Sequence, residues 1–426
     1  MSDYWPSPWP CEDGGPTRRQ TPRGGGGLGI GLGDRLEVTH RLAPLVTMAV
    51  LREPGEVFLL RHSAGDGAFS LVERLDPVTL GPLATSPELR GGPLWPGGLA
   101  AHANGSLYVV FGRHGHRLDD DLHVVASRRL PRAAPYNSFV VLPDGALVTK
   151  DFAGSRPGVP VAPTDRRPCE LVVLEPERLE IVATLELPEP SIARLSSDAA
   201  AVYVVGDTSL LRVRWDGSSL RLDEDFRATY RTLAGQTYGW DCVLAAGAAW
   251  FLDNGDGSER YTGTLRGQGI STAPLHLVRV DVSSGAVTTA EVCGRPGGIV
   301  ANPPVVDERR RIVVGYDSGN GVIAAFDLGA DAELTAKWRR DQDHASHLLL
   351  FPDTGELLTG DYDPARHAEQ AVVLDIATGT ELARSDTGST VQSVLFPTPG
   401  FGRDCYTCSF TGISRLSVTS DRAAGP

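Results

Sequence analysis

The stretch DQDHASHLLLF (341 to 351) sets Asp343, His344 and His347 at the head of an apolar run. Imidazole is the side chain best suited to proton transfer near neutral pH, so His347 and His344 are candidate general acids or bases. A second constellation, YGWDCVL (238 to 244), offers Tyr238 and Trp240 as an aromatic wall with Asp241 between apolar neighbours. Aromatic walls with a few polar groups are what a small-molecule pocket needs. Arg194, in SIARL, occupies the corresponding place one unit earlier.

A third pattern is the phrase PDGALVTKDF (143 to 152), which returns as PDTGELLTGDY (352 to 362). In that frame Asp151, Asp207, Asp253, Asp317 and Asp361 all close a short apolar run. Asp253 and Asp317 are followed by Asn-Gly and Ser-Gly, ordinary turn chemistry in which the carboxylate accepts from amides ahead. Asp207 takes the same structural reading. Asp151 and Asp361 carry an aromatic instead and are candidates for electrostatic or catalytic work. Lys150, one of only two lysines, is expected to point away from Asp151 as a buried counter-ion or, if desolvated, a base. In the first unit the equivalent position is Arg61, followed by His62, and both are candidate substrate contacts. The run RHGHRLDDDLH holds His114, His116, Asp119, Asp120, Asp121 and His123, enough imidazole and carboxylate to hold a metal if a closed loop brought them together.

The elements that must position these groups are short. From about residue 36, runs of five to eight residues rich in Val, Leu and Ile alternate with Gly, Pro, Asp and Asn turns. They repeat, with first runs at 45–51, 96–102, 137–142, 191–195, 239–244, 297–302, 346–351 and 391–396. Units of about 40 to 50 residues with about four strands each predict an all-β β-propeller. Eight four-stranded blades are expected, with seven as the alternative. The last unit runs out with three strands, so the segment 35–42 is expected to supply the fourth and close the ring. Residues 35–418 form the propeller domain, 419–426 a tail, and 1–34, rich in Pro, Gly and Trp and without period, a flexible arm.

In a blade the innermost strand runs across the ring and the second returns. The start of one and the end of the other therefore share a face. The segments 113–121, 153–168, 255–273 and 363–370 all follow second strands, so long loops are expected to gather on that face and mark it as functional.

With this blade pattern, and with PDG-x-L at 143–147 as its clearest local match, residues 36–418 resemble the YVTN, quinoprotein-like and senescence-marker/gluconolactonase propellers. The lactonase-like members imply a divalent metal such as calcium at the channel mouth, held by Asn, Asp and Glu. On that resemblance Asn137 and Asp241 are the metal candidates, with Asn137 also a substrate contact; Asp361, from the second-strand series, is a further metal candidate on the residue pattern alone. No counterpart of the family's N-terminal Glu is apparent, nor are the tryptophan-docking repeats that a quinone-dependent member would carry.

Composition narrows the partners. With 53 acidic against 40 basic residues the net charge is −13, which disfavours nucleic acid and anionic membranes. No run approaches the roughly 18 apolar residues of a membrane-spanning helix, and the N-terminus lacks a signal-peptide pattern. A soluble, cytoplasmic protein is expected. Six scattered cysteines are no disulfide scaffold, and Cys405 and Cys408 on one strand would point to opposite faces. The expected function is small-molecule hydrolysis, elimination or isomerisation at the channel mouth. The alternative is a non-catalytic scaffold that meets a protein partner through its loop-rich face.

Overall fold

The computed structural model describes residues 3–65, 67–154, 161–162, 165–263 and 265–420. Inner strands such as Val46–Leu51, Leu107–Phe111 and Ile312–Asp317 are buried at every position, so each antiparallel sheet has two faces to cover, and packing sheets radially covers both. Eight such sheets form eight blades of a β-propeller. The innermost strands are Val46–Leu51, Gly98–Ala101, Val140–Val141, Ser196–Ser197, Gln236–Gly239 with Val243–Ala245, Val305–Asp307, Leu349–Phe351 and Pro397–Pro399.

Blade 8 is built from both ends of the chain. Its strands Pro397–Pro399, Asp404–Ser409 and Gly412–Ser420 are joined by Asp34–Leu42, which pairs antiparallel along its whole length, from Asp34 opposite Ser420 to Leu42 opposite Gly412. The outermost strand supplied by the N-terminal segment leaves no blade incomplete.

The segment expected to be a flexible arm is instead packed against the ring. Tyr4, Trp9, Cys11, Glu12, Asp13, Arg18, Gln20 and Leu28 are all buried. Its backbone is satisfied by the ends of innermost strands, which compensates for its lack of secondary structure. Leu51 N–H donates to Trp9 O, Ala101 to Pro10 O, Ser197 to Pro16 O, Leu244 to Thr17 O and Leu350 to Gln20 O. Each donor is the last or next-to-last residue of its strand. The arm thus crosses one mouth of the channel and closes it. Its sharp turn, the short 3-10 helix Glu12–Gly14, requires glycine at Gly14: φ is +79°, and a Cβ would lie 2.7 Å from Thr21 O and 2.8 Å from the Trp9 ring.

Two of the expected long loops are not loops. His114–Leu118 is the third strand of blade 2, paired with Leu107–Phe111, and 363–370 is a tight turn between strands Glu356–Asp363 and Ala368–Asp375. In both, polar side chains on a half-exposed strand mimic loop composition. The 255–273 segment does extend over the ring, with a short 3-10 helix at Ser258–Arg260. Much of 153–168 lies outside the described residues. All six cysteines are free thiols. Among the described residues no helix is long and apolar enough to cross a membrane.

Candidate functional site

Where the innermost strands of blades 3, 4 and 5 should begin, the ladder is broken. Blades 3 and 4 keep only two paired residues each, and blade 5 is interrupted between Gly239 and Val243. Asn137, Arg194, Trp240 and Asp241 lie on these unpaired segments. Freed from sheet geometry, their side chains turn into the channel. Arg194, Asp241 and His347 each stand three residues ahead of a strand-end residue that bonds to the arm, namely Ser197, Leu244 and Leu350.

The result is a cavity of about 260 Å3 inside the ring. Trp95, Trp240, Leu265, Val394, Phe396 and Phe410 make its apolar walls, and Asn137, Arg194, Asp241, Asn302 and His347 its polar groups. Leu265 comes from the 255–273 segment, so the cavity is walled from the loop-bearing side, and two of its polar lining residues, Arg194 and His347, are backed by the arm's Glu12 and Asp13.

This backing is a network of buried charges. Arg18 donates to Asp13 Oδ2 at 2.8 Å, to Glu12 Oε1 at 2.5 Å and to the Leu195 carbonyl at 2.6 Å. Arg194 bonds Glu12 and the Asn137 carbonyl, and its backbone N–H donates to Asp241 Oδ1 at 2.6 Å. His347 Nδ1 lies 2.9 Å from Asp13 Oδ1, but their mutual orientation is not that of a hydrogen bond. The His347 ring stacks on Phe396 with centroids 3.9 Å apart. Burial opposes the Asp13 anion, yet His347 and Arg18 together hold its carboxyl below the ordinary range. For Glu12 burial prevails over Arg18 and Arg194 and raises the value. Three carboxylates (Glu12, Asp13, Asp241) meet two guanidiniums (Arg18, Arg194) here.

Five of the residues singled out in the sequence therefore line one cavity: Asn137, Arg194, Trp240, Asp241 and His347. The others lie outside its lining. Tyr238 packs edge-on to Trp240 at 6.2 Å, and its hydroxyl accepts from Ser258. His344 is wholly buried, takes the Gly360 N–H on Nδ1 at 2.9 Å, and is held neutral by burial, which lowers it to about 4. Arg61 pairs with Glu73 at 2.7 Å and His62 stacks on Phe111 at 4.9 Å. Lys150 donates to the backbone carbonyls of Asp151 and Ser191, not to a carboxylate, and burial lowers its pKa.

Asp151 and Asp361 do not converge with the cavity residues. Asp151 accepts from Glu170 N–H at 2.5 Å and pairs with Arg167 at 2.5 Å. Asp361 accepts from Asp343 N–H at 2.9 Å and pairs with Arg384 at 2.7 Å. Asp253 receives the His276 N–H, the His276 ring and Gln236, all within 2.9 Å, and not the turn amides ahead of it. Asp317 does take the expected turn amide, from Asn320. These carboxylates tie strands and loops together at the blade level.

Glu12, Asp13 and Arg18 were not foreseen as site residues. Their arm has no periodicity, and its shape is dictated by the ring it crosses. The only signal was an acidic pair, Glu12-Asp13, set in a Pro- and Gly-rich segment. Among the described residues one group of His, Cys, Asp and Glu side chains is close enough to share a metal ion, namely Asp13, Asp241 and His347. The His and Asp residues of blade 2 do not gather: His114 and His116 bond the carbonyls of Gly91 and Arg90.

The eight sheets set in a ring with a pocket in the channel define the fold as a β-propeller. No protein-family model matches the sequence, and no curated protein matches it. Quinohemoprotein alcohol dehydrogenases from Comamonas testosteroni and from Pseudomonas putida HK5 superpose with TM-scores of 0.62 and 0.61. Their identities are 12% and 10%, over 98% and 99% of this chain and 81% of each of theirs. BamB from Moraxella catarrhalis superposes with a TM-score of 0.54 at 11% identity, over 88% of this chain and 99% of BamB. Identities this low show a shared fold, and function must be argued from the site.

Proposed function

We propose that the protein is an enzyme acting on a small, largely apolar organic molecule that enters the channel cavity and presents one polar group to its polar end. The observation that carries this reading is the contrast within the cavity. Tryptophan, phenylalanine and leucine side chains form the walls, whereas His347, Asp241 and Arg194 converge at one end. Ligand sites combine these features: apolar burial supplies affinity and a few placed polar groups supply orientation and chemistry.

A cavity of about 260 Å3 suits a compact ring system or short chain rather than a polymer. Low local dielectric strengthens whatever the polar end does. Hydrolysis, elimination and isomerisation share one requirement, a group that moves a proton or polarises an oxygen, and the His347 end supplies it. Arg194, anchored on Glu12 and the Asn137 carbonyl, is rigid enough to orient a substrate oxygen.

The test is a screen of small cyclic and aromatic compounds by thermal shift and tryptophan fluorescence, followed by turnover assays on hits. Trp240→Ala and His347→Gln are expected to weaken binding or turnover by tenfold or more. Hits that bind both variants as well as the parent protein would overturn the assignment.

A further inference from the structure

We infer that His347, Asp13 and Asp241 form a site for one divalent first-row transition cation at the polar end of the channel cavity. The inference rests on reading that cavity as the working site. The donor atoms of the three residues lie within 4.8 Å of one another, a spread that one ion at about 2.0 to 2.2 Å from each donor can bridge with small side-chain adjustments. All three residues are buried, at 2%, 3% and 2% exposure for Asp13, Asp241 and His347. Buried charges are normally paired or bound to metal.

A second observation separates this group from an ordinary acidic cluster. His347 Nδ1 is buried and makes no hydrogen bond, although Asp13 Oδ1 stands 2.9 Å away. The contact is an ion pair only when the imidazole is protonated; with a neutral imidazole both atoms present lone pairs that one cation can share. Each carboxylate is also held by one oxygen only. Arg18 fixes Asp13 through Oδ2 and leaves Oδ1 toward His347. The Arg194 N–H fixes Asp241 through Oδ1, and Oδ2 has only Arg194 Nε, at 4.0 Å. Outer hydrogen bonds that orient monodentate ligands are characteristic of metal centres.

The donor set selects the ion. Calcium and magnesium take oxygen ligands, whereas one imidazole with two carboxylates suits zinc, manganese, iron, cobalt or nickel in the divalent state. Three protein donors leave positions open toward the cavity, where a water or a substrate oxygen would be polarised. Because Asp13 comes from the arm and the other two donors from blades 5 and 7, the site exists only when the arm is seated.

The test is titration of chelator-treated full-length protein with Co2+, Zn2+, Mn2+ and Ca2+, read by calorimetry and by Co2+ visible absorption. One equivalent of Co2+ or Zn2+ is expected to bind, at least tenfold tighter than Ca2+, with His347→Gln and Asp241→Asn each weakening it about 100-fold. His123→Ala should leave stoichiometry and affinity unchanged. Absence of saturable 1:1 binding, equal affinity for Ca2+, or unchanged affinity in folded His347→Gln and Asp241→Asn would overturn the inference. X-ray absorption on the Co2+-loaded parent protein needs no variant: an N/O shell is expected, and a sulfur ligand would refute the site. Organic ligands that bind without any metal uptake would sink this inference alone, and metal uptake with no organic ligand would sink the enzyme reading alone.

Discussion

Two sets of side chains sit at recurring blade positions, and the ring treats them in opposite ways. The aspartates at the ends of the second strands repeat in five blades, 151, 207, 253, 317 and 361, and where their carboxylates bond they bond to nearby strands and loops. The positions three residues ahead of the arm's contacts hold Met48, Gly98, Arg194, Asp241 and His347, no two alike. Where every unit needs the same residue, the unit itself is being held together. Where each unit differs, the ring is composing a single asymmetric place from several blades.

The comparison breaks most visibly at Asp253. Its carboxylate satisfies Gln236, the His276 N–H and the His276 ring. Asp253→Ala is expected to cost about 3 to 5 kcal/mol in denaturant unfolding while the folded fraction keeps its cavity ligands. Arg18→Ala, behind the cavity, leaves the buried Asp13 with His347 alone and the buried Glu12 with Arg194 alone. A loss of about 3 kcal/mol is expected, together with proteolytic cleavage in the arm.

Asp207 gives a pH test of the first set. Burial raises its pKa to about 6, and Arg166 at 3.6 Å does not offset this. An unfolded aspartate releases its proton at about 3.9, so the native state holds more protons between those values and stability falls as pH rises through that window. Asp207→Asn should remove the fall, gaining about 2 kcal/mol at pH 7 to 8 and nothing below about pH 4. His347→Gln belongs to the second set and should do the reverse. Ligand binding or turnover should drop about tenfold, and unfolding free energy should change by under about 1.5 kcal/mol. The smallest effect is expected at His123, whose ring is 76% exposed beside Asp119. His123→Ala should change unfolding free energy by less than about 0.5 kcal/mol.

The fold was legible because strand period and turn residues are local signals. The predicted unit starts fall one to three residues ahead of the innermost strand in blades 1, 2, 3 and 7 and five to eight ahead in blades 4, 6 and 8, while in blade 5 the start, Gly239, is the last residue of Gln236–Gly239; the closing strand Asp34–Leu42 is in place, mostly half-buried as an outer strand should be. The cavity was legible where its residues interrupt an apolar run, as Asp241 does in GWDCVL and His347 in SHLLLF. It was not legible at Asp13 or Arg18, which owe their places to a surface that exists only after the ring has formed. Asp151 and Asp361 show the converse. An aromatic neighbour set them apart in sequence, but their environment is decided by Arg167 and Arg384 from elsewhere in the same blades.

Closure of blade 8 by Asp34–Leu42 also fixes when the molecule can be completed. Its partner, Gly412–Ser420, lies 370 or more residues downstream at every paired position. The first 42 residues leave the ribosome with nothing to dock on, and the arm's seats, from Leu51 to Leu350, appear one blade at a time. Contacts of such sequence separation form late and slowly. The backing of the cavity is therefore laid down as a final step, and a chain that stops short of the last blade carries most of the scaffold but no working pocket.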